Sequence, residues 1–414
     1  MPSRPSSPRE PGSPVMGHPA EPQGEPAQLE GEPAQLEGQL KQLGPQVLGV
    51  LVRRGDDISA AEDAVQEALV EAFRRWPRDG LPDQPKAWLV TVASRKYLDV
   101  VRSEVARRRR EERFHDEPEP GATEQSDDTL VLLFLSCHPV LSPASAVALT
   151  LRAVGGLTTR QVAEAYLVPE ATLAQRISRA KRTLSGERLT RPGDLRTVLH
   201  VLYLIFNEGY GGEVDLASEA IRLTRQLAAG SDEPEVQGLL ALMLLHHARR
   251  ASRRTASGEL VPLGQQDRSR WDTTLIAEGV DILQHALARD RLGEYQAQAA
   301  IAALHADARS THETDWTQVL EWYDELTLLT DRPVVALNRA VAVGEVDGPL
   351  AGLRALAAVD PSVPRHDAVA AYLHERAGNR VRARELYAVA ARAATNAAER
   401  DHLTRQAARL RETL

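Results

Sequence analysis

Residues 159–184 constrain this chain more than any other stretch. Thr159-Arg-Gln-Val-Ala-Glu-Ala-Tyr166 spaces Val162, Ala163 and Tyr166 as the inward face of a short helix. Leu167-Val168-Pro169 makes a turn, because Pro169 brings no backbone donor to a continuing helix. From Glu170 to about Leu184 a second helix carries Leu173, Ile177, Ala180 and Leu184 as one apolar stripe. Glu170 in its first turn suits the positive end of the helix dipole. The opposite surface is assigned Thr172, Gln175, Arg176, Arg179, Lys181 and Arg182, with Arg160 on the helix before. A buried stripe backed by an Arg/Gln face predicts a helix-turn-helix whose second helix fits the DNA major groove. A plain structural hairpin is the alternative.

The rest of the chain reads as all-α. Hydrophobic residues are 43% of its 414 residues but aromatics only 4%. Its cores must therefore be mostly Ala, Leu and Val, and Ala and Leu lead the helix propensities. The net charge is −8, so any nucleic-acid contact needs a local basic surface. One cysteine, Cys137, excludes an internal disulfide and a thiolate zinc cluster, as expected in a reducing cytoplasm. No apolar run suits a bilayer, and the first residues lack the apolar core of a signal peptide.

Residues 1–38 are rich in Pro, Gly, Ser and Glu, with the tandem copies Glu25–Gly31 and Glu32–Gly38, and read as disordered because each copy carries a proline. Residues 39–113 have helical periodicity. A helix from about Ser59 to Trp76 puts Ala64, Val65, Ala68, Leu69, Ala72 and Phe73 on one face, with Ser59 and Glu62 as a capping box. The same helix carries an acidic patch, Glu62, Asp63, Glu67 and Glu71, of which positions 63, 67 and 71 share one face. That surface is either a solvated face or a docking face for a basic partner. A long helix from Lys86 carries Arg95, Lys96, Arg102 and the run Arg107–Arg110, a density able to neutralise phosphates. Trp88 near its start suits either base stacking or core packing.

Residues 114–128 hold six acidic residues and no Lys or Arg, a flexible acidic linker. Residues 129–190 hold the helix-turn-helix. Residues 195–414 read as helix pairs with small residues at their crossings, and Ala371, Ala383, Tyr387 and Ala390 approximate a tetratricopeptide-like pattern. Stacked pairs give a concave surface for a protein or peptide partner. Three clusters invite a catalytic reading. His246-His247 suits a helix C-terminus better than a metal. Cys137-His138 has no second ligand pair. Asn207-Glu-Gly-Tyr210 reads as a buried polar anchor between domains. No phosphate loop or nucleophile triad stands out, so neither catalytic residues nor a cofactor or metal are expected.

The two helical modules together resemble the extracytoplasmic-function sigma factors of RNA polymerase. The residues that carry the resemblance are Ala61-Glu-Asp-Ala-Val-Gln-Glu67, Ala87-Trp-Leu-Val-Thr-Val-Ala93 with Asp99 and Arg102, Leu141-Ser-Pro143, Gly156-Leu-Thr158 and Ala171–Arg182. The resemblance covers about residues 40–188 and implies a region 2-like domain over 39–113 and a region 4-like domain over 129–190. It implies that Glu62, Asp63, Gln66 and Glu67 dock on core polymerase. It places Trp88, Arg95, Lys96 and Arg102 at the minus-ten promoter element, with Arg95 standing where the family commonly has Asn. It places Thr172, Gln175, Arg176 and Arg179 on the helix reading the minus-thirty-five element. Stretches such as Leu199–Tyr210, Gln266–Trp271, Tyr295–Ile301 and Val335–Val341 resemble the tetratricopeptide-like extension of one sigma-factor subgroup.

The expectation is a cytoplasmic, non-enzymatic sigma factor with core RNA polymerase and promoter DNA as partners, modulated by its extension. The rival is a helix-turn-helix regulator on a repeat scaffold that does not replace a sigma subunit. The acidic helix at 62–71 separates them, since a simple regulator has no need of it.

Overall fold

The computed structural model describes residues 31–54, 58–108, 128–166, 168–185, 193–208, 215–255, 258–395 and 397–412. The acidic linker and the first copy of the tandem repeat thus fall almost wholly outside the described residues. Eighteen α-helices are present among them, and the one β feature is an isolated bridge between Arg254 and Leu260. No described helix is long and apolar enough to cross a membrane.

Three helices build the first module: α1 (Gly31–Arg54), α2 (Ile58–Asp79) and α3 (Pro85–Arg108). α1 begins at Gly31, so the second repeat copy is helical rather than disordered. Pro33 falls in the first turn, where the backbone donors have no intrahelical acceptor to lose. Ile58, Ala61, Ala64, Val65, Ala68, Ala72 and Trp76 form the buried stripe of α2. Because α2 starts at Ile58, Ser59 lies within the helix and the expected capping box is not its start. Phe73, expected inside, is 50% exposed. Gly80, at a φ of +85°, ends the helix, its N–H reaching the Trp76 carbonyl at 3.1 Å.

The second module comprises α4 (Asp128–Ser136), α5 (Pro143–Ala153), α6 (Thr159–Ala165) and α7 (Glu170–Ser185). Ser142 caps α5, with Pro143 in the first turn. Thr158 and Gln161 form a reciprocal capping box on α6. The stripe Leu173, Ile177, Ala180 and Leu184 is buried as its spacing predicts.

The extension continues with α8 (Leu195–Glu208), α9 (Leu216–Ala229), α10 (Pro234–His247), α11 (Thr273–Leu287), α12 (Glu294–Asp307), α13 (Trp316–Leu329), α14 (Pro333–Val346), α15 (Pro349–Leu356), α16 (His366–Arg376), α17 (Arg380–Ala393) and α18 (Ala397–Glu412). Buried side chains from α1 to α12 form one continuous apolar core, while α14 to α18 enclose a second. α8 packs on α4 and α5. Gly193 makes this entry possible: a Cβ there would lie 2.6 Å from the Phe134 carbonyl oxygen. α10 is apolar on all sides and central, packing on α8, α9, α11 and α12. Glu235 of α10 accepts from the Tyr295 backbone N–H at 2.7 Å, closing the start of α12 from a neighbouring helix.

The motif at 266–271 is a structural staple. Arg268 stacks over Trp271 at 4.5 Å and donates to the His305 and Ala308 carbonyls, which end α12. Trp271 donates to Ser252 at 2.8 Å. Cys137 is fully buried, its sulfur 3.6 Å from Thr150 Oγ1. Asn207 and Glu208 are exposed, which corrects the expectation of a buried anchor there; Gly209 and Tyr210 lie outside the described residues. Among the described residues no group of three His, Cys, Asp or Glu side chains is arranged to hold a metal.

Candidate polymerase and promoter interfaces

The acidic helix α2 divides its charges between two sides. Asp63, Gln66 and Glu67 are exposed. Glu62 is only 5% exposed. It lies four residues after Ile58 and three before Val65, within the buried stripe rather than opposite it. Its carboxylate is 2.8 Å from Arg152 of α5 and also pairs with Lys181 of α7. A buried carboxylate needs such partners, because an unpaired charge out of water is strongly unfavourable. Arg152 was not among the residues picked from sequence. The signal was Glu62 itself: a carboxylate on an apolar stripe demands a cation from the facing element.

Lys181 is likewise not on the open face of α7, as expected from sequence, but turned toward the first module. It follows Ile177 by one helical turn, so it borders the buried stripe, and its long stem carries the ammonium to Glu62. Thr172, Gln175, Arg179 and Arg182 are exposed, and Arg176 is half-buried. Gln175, Arg179 and Arg182 line a shallow depression with Ala174 and Ser178. This leaves a polar and basic surface opposite the core, with the geometry a recognition helix requires. Arg160 of α6 is exposed and pairs with Glu164 at 2.7 Å.

On α3, Trp88 packs edge-on against Trp76, ring centroids 5.5 Å apart, with part of its ring still at the surface. Arg95 is exposed. Lys96 reaches Glu67 at 3.0 Å and Glu71 at 3.6 Å. The hydrogen bond to Glu67, with the surrounding negative charge, holds its ammonium above the ordinary lysine range. Arg102 lies on the same helix, its side chain outside the description. The first module thus sets a basic helix against an acidic one; the second offers a basic helix above a closed core.

Two helical modules in this order, the second a helix-turn-helix, define a protein of the sigma-70 type. Residues 40–108 match Sigma-70 region 2 and residues 132–184 match Sigma-70 region 4. Residues 194–287 match a family of unknown function (DUF6596). The chain is 38% identical over 398 residues to the uncharacterized protein R00370 of Rhizobium meliloti, a match taking in 87% of this chain and 92% of that one. It is 31% identical over 187 residues to the probable ECF RNA polymerase sigma factor SigI of Mycobacterium tuberculosis, covering 38% of this chain and 62% of the relative. It is 30% identical over 147 residues to the ECF RNA polymerase sigma factor SigK of Mycobacterium sp. strain KMS, covering 34% of this chain and 76% of the relative. No solved structure matches. Over its first two modules the chain belongs to the extracytoplasmic-function family of RNA polymerase sigma factors.

Proposed function

We propose that this chain is a sigma factor that binds core RNA polymerase in the cytoplasm and directs promoter recognition and transcription initiation. The ordered pair of region 2 and region 4 matches carries this reading. Asp63, Gln66 and Glu67, with Glu62 once released, form the polymerase-docking surface of α2. Trp88, Arg95, Lys96 and Arg102 on α3 meet the minus-ten element. Arg160, Thr172, Gln175, Arg176, Arg179 and Arg182 meet the minus-thirty-five element, with Lys181 joining them only after leaving Glu62. Phosphate contacts from these cations supply affinity, and the α7 side chains supply sequence reading. Catalysis belongs to the polymerase.

The extension modulates this activity and holds a protein or peptide partner. A tetratricopeptide-like reading of its last helices is supported by Ala371, Ala383, Tyr387 and Ala390, all buried at the α16–α17 crossing. Gly344 and Gly352 support it too, meeting where α14 crosses α15: a Cβ on Gly352 would lie 2.8 Å from the Gly344 Cα. The rival reading, a regulator that does not replace a sigma subunit, leaves the region 2 match without a role.

Run-off transcription with core polymerase on a promoter library tests the proposal. Transcripts with defined starts that depend on the full-length chain are expected. Promoter binding without any chain-dependent transcript would overturn it.

A further inference from the structure

α17 and α18 leave a groove between them that neither promoter recognition nor polymerase docking uses. α18 packs chiefly on α17 and turns Leu403 and Leu410 into the second core. A second stripe beside that one carries Arg400, Ala407, Ala408 and Arg411 at helical spacing. A cavity of about 330 Å³ lies in the crease, where these residues meet Ala388 and Arg392 of α17. All three arginines are exposed, and among the described residues none of them pairs with a carboxylate. Arg400 donates to the Ala394 carbonyl at 2.9 Å instead. Their neighbours differ: Arg382, Arg405 and Arg409 of the same two helices each pair with a glutamate. In a chain of net charge −8, three unneutralised cations around one alanine-lined crease form a surface complementary to an anionic partner.

The crease suits a helix. Its walls are the side chains of two helices, so an extended segment gains no strand pairing there. Alanine lets a third helix approach closely, as Gly344 and Gly352 do where α14 crosses α15. Nucleic acid would find three phosphate-binding cations, but the alanines offer neither base-reading donors nor an aromatic face. We propose that the α17–α18 groove is the docking site for an amphipathic acidic helix of a partner protein. Arg400 and Arg411 are three turns apart on α18, about 16 Å at the α-helical rise. The partner helix therefore covers about three turns, with Ala- or Leu-sized side chains on its buried stripe and carboxylates flanking both ends. It adds one member to the helix stack, in the manner of repeat arrays. The proposal rests on the reading of the extension as the holder of a protein partner; it is independent of the sigma-factor assignment.

The test uses the full chain and a labelled synthetic helical peptide with an Ala/Leu stripe flanked by Glu. Its counterpart carries Lys in place of every Glu. Fluorescence anisotropy should show saturable binding of the Glu peptide and at least about tenfold weaker binding of the Lys peptide. Changing Arg392, Arg400 and Arg411 together to Gln should weaken the Glu peptide at least about tenfold. Ala408→Trp, at an exposed position, fills the crease while keeping every arginine, and should abolish the same binding. If that variant loses helical circular dichroism, Ala408→Gln is read in its place, since Gln is a good helix former. Loss in the arginine variant alone would leave a charged surface and overturn the helix groove. Unchanged binding in both variants would place the partner elsewhere on the extension and overturn the groove alone. Absence of binding by the unaltered chain would overturn the groove and the acidic partner together. Peptide binding that tightens when Asp116, Glu117, Glu119 and Glu124 are changed to their amides would give the groove to the chain's own acidic segment and overturn an outside partner. Displacement by random-sequence duplex DNA at lower concentration than by unlabelled Glu peptide would make the groove a nucleic-acid contact instead.

Discussion

Lys96 of α3 sets its ammonium 3.0 Å from the carboxylate of Glu67 on α2. The helix proposed to meet the minus-ten element and the helix proposed to meet polymerase are joined by this pair at the surface. Exposed pairs of this kind contribute less than about 1 kcal/mol to stability. Lys96→Ala should therefore leave thermal unfolding nearly unchanged while lowering open-complex formation, read by permanganate footprinting. A large loss of stability with normal promoter opening would make Lys96 structural instead.

Arg179 projects from the exposed face of α7. Replacing it with Glu removes a cation and places a negative charge against DNA, and a good base contact is worth about 1–3 kcal/mol. Arg179→Glu should cut promoter-specific transcripts more than about tenfold, with core affinity unchanged. Equal loss of core affinity would remove α7 from the promoter.

His305 lies against Trp316, ring centroids 5.4 Å apart, and burial, with Arg249 and Arg268 nearby, holds its imidazole down to about 4. His246 is held well below its ordinary value in the same direction, chiefly by burial. The folded chain keeps these rings neutral, while the unfolded chain protonates them below about pH 6.5. The His305 contribution is complete above that pH and is lost as pH falls from there toward about 4, and His246 acts in the same direction. At pH 5 the His305 share is on the order of 2 kcal/mol. Chemical unfolding at pH 7 and pH 5 should show a drop that shrinks by about that amount in His305→Gln. The same drop in both proteins would contradict this.

Gly238 marks the crossing of α10 and α12. A Cβ there would lie 2.6 Å from Gln296 Cγ and 2.7 Å from the Gln296 backbone nitrogen. Gly238→Val must push α12 away from Glu235, whose carboxylate holds the first N–H groups of that helix. A loss of about 2 kcal/mol is expected by denaturant titration. A neutral result would mean that α10 and α12 separate without cost.

The recognition helix was legible in the sequence because Leu173, Ile177, Ala180 and Leu184 repeat at helical spacing and nothing polar interrupts them. Residue type alone does not show that Glu62 is buried or that Lys181 turns toward it. Their positions, one turn from Ile58 and one turn from Ile177, put both on or beside buried stripes. Phe73 shows the converse, an apolar side chain left at the surface. The helix start at Gly31 was hidden by Pro33, which breaks a helix interior but is tolerated in a first turn. The joining of α8 to α4 had no local signature. Only the packed structure shows Gly193 against Phe134, or a single core running from α1 to α12. This core has a practical consequence: ending the chain near Leu189 would remove α8, which packs on α4 and α5 and adds Val198, Leu199, Leu202 and Phe206 to the shared core. Substitutions in the full chain are the better probes.

The central claim is that this chain attaches to core RNA polymerase through the first module. Titrating core polymerase into labelled full-length chain measures it directly. The account predicts saturable binding that weakens at least about tenfold when Asp63 and Glu67 are both changed to Lys. Absence of association at micromolar polymerase, in a chain that still binds promoter duplex, would contradict it.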